Sequence, residues 1–252
     1  MKIISPSYKR AGKIHALWKS FPTAVLVVPE SQAQEYISLY GQARVIVCAD
    51  KNDGAIARKR NWILDALIND DDVLMVDDDL ESVWKFESPD GTTNRVADYH
   101  HKLNAGDIEN LCLESFELAR GFNTILWGVN TASGFWTYRA SPISLTTVVL
   151  GPFMGICKGC PLRFDERMGS KEDYDFSLQV LRKYRKIVRW NKYHYFAAHG
   201  DNSGGLTAVR TQEKEWEWAQ AIMRKWGTDI IQYKPSKKNI LNGTVNCPIP
   251  GV

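Results

Sequence analysis

Three adjacent carboxylates, Asp77-Asp78-Asp79, follow directly on the short apolar run Val73-Leu74-Met75-Val76. An apolar run of that length reads as a buried strand. In an open α/β sheet, ligands bind just beyond the carboxyl ends of the strands. Acids crowded together there repel one another, and taking them out of water is costly unless a cation compensates. Asp77 and Asp79, one residue apart, suit a hard divalent ion that also holds a diphosphate. The same letters also fit an acidic loop that caps the next helix with solvated charge.

Four other groups of residues carry possible chemistry. Gly54-Ala55-Ile56-Ala57-Arg58-Lys59-Arg60-Asn61 opens a helix after a strand. Its N-terminal amides and its arginines suit phosphate, although a solvated basic face explains them as well. Glu172-Asp173 lies in the first turn of another helix. Ser170-x-x-Asp173 reads as a capping box, while a carboxylate in that turn is also placed to act as a general base. His199 lies in the glycine-rich stretch His199-Gly200-Asp201-Asn202-Ser203-Gly204-Gly205, either as a metal ligand or as a structural histidine. Arg182, Lys183, Arg185, Lys186, Arg189 and Lys192 interleave with Tyr184, Trp190, Tyr193 and Tyr195. That pattern fits nucleic acid, with cations on phosphates and rings on bases, and equally a helix end leading into an amphipathic strand. Trp136, Tyr138 and Arg139 either line an acceptor pocket or form a hydrophobic corner.

Elements that would position these groups follow from periodicity. Strands are expected over residues 2–5, 24–28, 44–48 and 73–76, with helical stretches near 31–40 and 55–68. Alternation of strand and helix predicts an α/β fold with a mostly parallel central sheet. Residues 87–106 are polar and without period, so a long loop is expected. A helix opens at Asp107, strands are expected at 124–129, 145–150 and 153–157, and a helix begins at Ser170. Residues 186–196 read as a strand, a tryptophan-rich helix follows, and the proline-containing tail from 234 to 252 is expected to be extended.

Composition narrows the class. The chain has 252 residues, 44% hydrophobic and 24% charged, with a formal net charge of +3. That suits one large globular α/β domain and permits a polyanionic partner without requiring one. No apolar run approaches the ~20 residues needed to cross a bilayer, and no signal peptide is read at the start, so a cytoplasmic location is expected. The 5 cysteines are odd in number and scattered, as reduced thiols are. Cys157-x-x-Cys160 has ligand spacing, but no second pair completes a zinc site.

The ordered set resembles inverting glycosyltransferases of the GT-A fold. Its pieces are Ser5-Pro6-Ser7-Tyr8-Lys9-Arg10-Ala11, Gly54 through Asn61, Asp77-Asp78-Asp79, Phe164-Asp165-Glu166, Glu172-Asp173-Tyr174-Asp175-Phe176 and His199. Within that fold it is similar to the TET-associated glycosyltransferases of bacteriophages. That similarity rests on the opening Ser-Pro-Ser-Tyr-Lys-Arg-Ala, Gly-x-x-x-Arg-Lys-Arg-Asn-Trp-Ile-Leu over 54–64, Val-Asp-Asp-Asp-Leu and the closing Ile249-Pro250-Gly251-Val252. The resemblance implies one domain over residues 1–252, with a nucleotide-sugar half over 1–80 and an acceptor half over 81–252. It implies transfer of a sugar from a UDP-sugar to 5-hydroxymethylcytosine in double-stranded phage DNA, in the host cytoplasm, with Mn²⁺ or Mg²⁺. It carries metal binding onto Asp77, Asp79 and His199, and donor contacts onto Pro6, Ser7, Tyr8, Arg58, Arg60, Asn61, Asp77 and Asp78. The base falls on Asp173 with Glu172 beside it. On the acceptor side Trp136, Tyr138, Arg139, Arg185 and Arg189 are candidates. The rival reading is a GT-A enzyme acting on a polysaccharide, lipid-linked or protein acceptor.

Overall fold

A computed structural model describes residues 1–14, 16–87, 99–131, 141–197, 210–234 and 244–246. His199, Trp136, Tyr138 and Arg139 lie outside the described residues, as do Cys247 and the closing 249–252.

The first four strands are β1 (Lys2–Pro6), β2 (Val25–Pro29), β3 (Val45–Cys48) and β4 (Val73–Val76). They are joined by α1 (Leu17–Ser20), α2 (Glu30–Tyr40) and α3 (Ile56–Leu67), and they pair in parallel in the order β3-β2-β1-β4. β4 is buried throughout because both faces are covered. Val73 and Met75 pack into the core under α3, and Leu74 and Val76 into the core on the opposite face. A strand sandwiched in this way reads as a continuous apolar run rather than an alternating one.

Beyond β4 the sheet becomes mixed. It continues through β5 (Leu80–Phe86), β6 (His100–Lys102), β7 (Leu126–Asn130), β8 (Ile143–Ser144), β9 (Phe153–Ile156) and β10 (Val188–Ala197). The order is β4-β9-β7-β10-β5-β6, with β8 on β10; β9 is antiparallel to both neighbours, and β7 and β10 are parallel. α4 (Ala105–Gly121) covers one face, and α5 (Glu172–Tyr184) with α6 (Gln212–Trp226) covers the other. Trp127 of β7 is fully buried, edge-on to Phe116 and Phe153 with ring centroids 5.3 and 5.6 Å apart. Each such pair adds about 0.5–1.5 kcal/mol to area burial. A separate hairpin joins β11 (Gln232–Lys234) to β12 (Thr244–Asn246).

Several boundaries differ from expectation. The strand expected at 145–150 does not form; β8 stops at Ser144. The loop expected over 87–106 contains β6, and α4 begins at Ala105 because Asn104 accepts from the Asp107 amide at 2.9 Å and caps it. The tail is not uniformly extended, since β12 folds back on β11. Cys157 and Cys160 are buried free thiols, with burial pushing the Cys157 thiol up to about 12.

Candidate functional site

The strand order reverses between β1 and β4, which lie side by side while their connections leave in opposite directions. The crevice at the carboxyl ends of these two strands is where α/β sheets bind ligands. β1 delivers Pro6, Ser7, Tyr8 and Arg10 there, and β4 delivers the three aspartates.

The aspartates take different environments. Asp78 turns inward, with a side chain 4% exposed. It accepts from Ser7 Oγ at 2.5 Å and pairs with the Arg10 guanidinium. Ser7 is buried and hydrogen-bonded to Tyr36 Oη at 2.9 Å, which also accepts from the Arg10 amide at 2.8 Å. Burial pushes the Asp78 carboxyl up to about 6, and Arg10 and Ser7 pull it back part of the way. Asp79 Oδ2 accepts from Arg10 Nη1 at 3.0 Å, while Asp79 Oδ1 is buried with no hydrogen-bond partner. Asp77 is the most open of the three, its side chain 29% exposed.

α3 aims its basic run at the same place. Arg60 is 3% exposed, with Nη2 3.2 Å from Asp77 Oδ1 and Nη1 2.8 Å from Glu172 Oε1. Nη2 also donates to the Gly151 carbonyl at 3.1 Å. Lys59, equally buried, donates to the Ser7 carbonyl at 2.6 Å and pairs with Asp53 at 3.0 Å. The remaining two residues of the run point elsewhere. Arg58 is half exposed and pairs with Glu166 at 2.8 Å. Asn61 uses both ends of its amide on the Phe164 backbone, at 2.9 and 2.7 Å.

The capping box expected at α5 does not form. Its N-cap is Lys171 with no side-chain cap bond, and Ser170 Oγ donates instead to Glu215 at 2.6 Å. Glu172 is buried against Arg60; desolvation and then the charge of Asp173 raise its carboxyl well above the carboxylate range, and Arg60 opposes them. Asp173 is part-exposed and held by two backbone amides: Gly151 donates to Oδ2 at 2.9 Å and Tyr174 to Oδ1 at 2.7 Å. Gly151 therefore ties the two sides together, its carbonyl on the arginine of Asp77 and its amide on Asp173. A Cβ at that position would come within 2.5 Å of Arg60 Nη2. Tyr195 of β10 shares the pocket; burial, then the charges of Asp77 and Asp173, raise its hydroxyl well above its usual pKa.

Arg10, Gly151 and Tyr195 are the site residues that spacing did not single out. Arg10 was within reach, since it stands in the same opening segment as Ser7 and Tyr8. Gly151 acts only through its backbone, and Tyr195 looked like one ring in a basic-aromatic strand.

On the acceptor side, Arg182, Lys183 and Arg185 are exposed. Arg189 is only 9% exposed, its Nη2 2.9 Å from Asn191 Oδ1, so it lies within the fold rather than along a cationic surface. No group of three or more His, Cys, Asp or Glu among the described residues is arranged to hold a metal ion. Two carboxylates, one open and one with an unpartnered buried oxygen, do suit a hard cation that takes further ligands from a diphosphate. No helix among the described residues is long and apolar enough to cross a membrane.

Comparison with known proteins bears on this arrangement. No curated protein matches the chain. Among solved structures, the chain is similar to S. aureus TarS 1-349, at 15% identity and a TM-score of 0.48, over 90% of this chain and 72% of that one. The family model for TET-Associated Glycosyltransferase matches residues 1–205, taking in β1, the three aspartates, Asp173 and His199. With the family model matching most of its length, the chain is a glycosyltransferase and belongs to the TET-associated glycosyltransferase family.

Proposed function

We propose that the protein moves a sugar from a UDP-sugar to the hydroxyl of 5-hydroxymethylcytosine in double-stranded DNA, by a single displacement that inverts the anomeric centre. The observation that carries the reading is the Gly151 peptide. It links Arg60, and through it Asp77, to Asp173, so that a leaving-group side and a base side form one bonded unit.

In this reading residues 1–80 hold the donor and residues 81–252 receive the acceptor. The turn Pro6-Ser7-Tyr8 and α3 take the nucleotide, with Ser7 and Asp78 fixing the turn from beneath. Asp77 and Asp79, with His199, would hold Mn²⁺ or Mg²⁺. Such an ion stabilises charge on the departing diphosphate. Arg60 orients Asp77, and Arg10 orients Asp79. Arg58 supplies an exposed cation at the rim. The acceptor hydroxyl is a weak nucleophile, and Asp173 takes its proton during attack from the side opposite the leaving group. Two backbone amides orient that carboxylate before substrate arrives.

A substituent at C5 of cytosine projects into the major groove, within reach of an enzyme on the duplex. The exposed cations Arg182, Lys183 and Arg185 supply phosphate contacts. DNA as acceptor places the enzyme in the cytoplasm. The test is to incubate hydroxymethylated and plain DNA with a panel of UDP-sugars and Mn²⁺, digest to nucleosides and weigh them. A hexose or acetylhexosamine increment on hydroxymethylcytosine alone is expected. Unmodified nucleosides with every donor would refute the acceptor.

A further inference from the structure

The turn that presents Asp173 is braced from behind by α6, and the brace consists of buried charge. Glu215 of α6 and Asp175 of α5 are both 0% exposed. Glu215 Oε1 accepts from Ser170 Oγ and from Arg210 Nε, each at 2.6 Å, and its Oε2 accepts from Lys171 Nζ at 2.7 Å. Asp175 Oδ1 accepts from Trp226 Nε1 at 2.7 Å and lies 2.7 Å from Lys225 Nζ. Between these two grips, the Trp218 indole sits where a side chain at Gly169 would be; Gly169 has φ +53°, and a Cβ there would come within 2.1 Å of the ring. The gripped residues 169, 170, 171 and 175 bracket Glu172 and Asp173 on both sides.

Holding a fold together does not require this. A buried ion pair loses the hydration of both charges, and apolar residues of similar volume often stabilise as well or better. What the pair supplies is direction. The first turn of a helix has unsatisfied amides and frays unless it is capped. α5 has no side-chain cap, so its start is ordered by the neighbour helix. The residues of α6 that do this, Glu215, Trp218, Lys225 and Trp226, all lie beyond the stretch 1–205 that matches the family.

We propose that Glu215 and Asp175 are positioning residues for sugar transfer, and that α6 acts on the reaction by fixing the direction of the Asp173 carboxylate. This rests on Asp173 being the base. The test compares wild type with Glu215→Leu/Lys171→Met and with Trp226→Phe in the full chain. Three quantities are read: melting temperature, hydrogen exchange of the amides at 172–176, and kcat against KM for the UDP-sugar, followed by UDP release. The double variant replaces the buried Glu215–Lys171 pair by apolar volume and leaves Arg210, 24% exposed, able to turn to water, so it is expected to melt near wild type. Its 172–176 amides should exchange about tenfold faster, and kcat should fall about tenfold or more with KM within about twofold, as expected for a misaimed group. Trp226→Phe, which removes one N–H donor and keeps a ring, should move exchange and kcat the same way by a smaller factor.

Unchanged exchange at 172–176, or full kcat in the double variant, would overturn the proposal. If the double variant does not fold, Trp226→Phe decides alone, and full kcat there overturns it. Exchange and UDP release to water need no DNA. A protein silent on hydroxymethylated DNA would therefore refute the acceptor while leaving the brace to be judged on its own results, and full activity in Asp173→Asn would refute the base.

Discussion

Arg60 Nη1 and Glu172 Oε1 meet at 2.8 Å across 112 positions of chain, both side chains almost completely buried. The same guanidinium reaches Asp77 and the Gly151 carbonyl, so one cation holds α3, β4 and α5 at a common point. Arg60→Met should leave two carboxylates facing each other without compensation. The expected loss is about 3–5 kcal/mol of stability, the usual cost of removing one partner from a buried pair, read from urea unfolding. Arg60→Lys should recover little, because an ammonium cannot span three acceptors in a plane.

Asp173→Asn keeps the acceptor oxygen for the Gly151 amide but cannot take a proton. Transfer is expected to fall about 10²–10⁴-fold, the range general-base catalysis supplies. UDP-sugar affinity by calorimetry should stay close to wild type. Near-normal turnover would remove Asp173 from the mechanism.

Asp78 gives a pH signature. Its carboxyl is raised from 3.8 to about 6 in the folded protein. Between those values the folded state holds a proton that the unfolded chain has released, so this residue makes stability fall as pH rises through the window. Above about pH 6 both states are ionised and the loss is complete. Asp78→Asn should flatten this part of the stability profile, read as urea midpoints from pH 4 to 7. An unchanged slope would mean that Asp78 is not the group responsible.

EDTA is expected to abolish transfer and Mn²⁺ to restore it. Asp79→Asn should weaken Mn²⁺ binding, measured by calorimetry in the presence of UDP, because it alters a carboxylate at the end of β4 whose Oδ1 is buried with no hydrogen-bond partner. Full activity in EDTA would remove the ion from the reaction.

If DNA is the acceptor, binding should weaken linearly in log salt, with a slope of about −0.9 for each phosphate contacted. Arg185→Ala should reduce that slope by about one contact. Arg189→Ala should leave the slope unchanged and lower stability instead, because its guanidinium is spent on Asn191 inside the fold.

The donor half of the sheet was legible because its signals are local. β1 to β4 are short apolar runs, and β1, β2 and β4, covered on both faces, leave no alternation to misread. The acids at 77–79 announced the carboxyl end of β4. β5 was harder to see: it starts at Leu80, a single tight turn after Asp77, with the Leu80 amide bonded back to the Asp77 carbonyl at 3.2 Å. It mixes Glu81, Ser82 and Lys85 with apolar residues, and no strand was expected there. Ser170 and Asp173 have the spacing of a cap, yet Ser170 is drawn away by Glu215, a partner 45 positions on that no local pattern reveals. Arg60 and Asn61 were marked as special, but apart from Asp77 their partners come from 91 to 112 positions away. The residue types carried the chemistry; which partner each one meets was decided by how the chain crosses itself.

The space beside Gly151 has a consequence for anyone screening this enzyme by mutation. A single methyl group there would displace the Arg60 guanidinium from the Gly151 carbonyl and disturb both acids it serves. Loss-of-function alleles at codon 151 would then mimic damage to the chemistry while every catalytic side chain remained in the gene. A mutational map that scores only side-chain deletions would pass over the position, because glycine has none to delete.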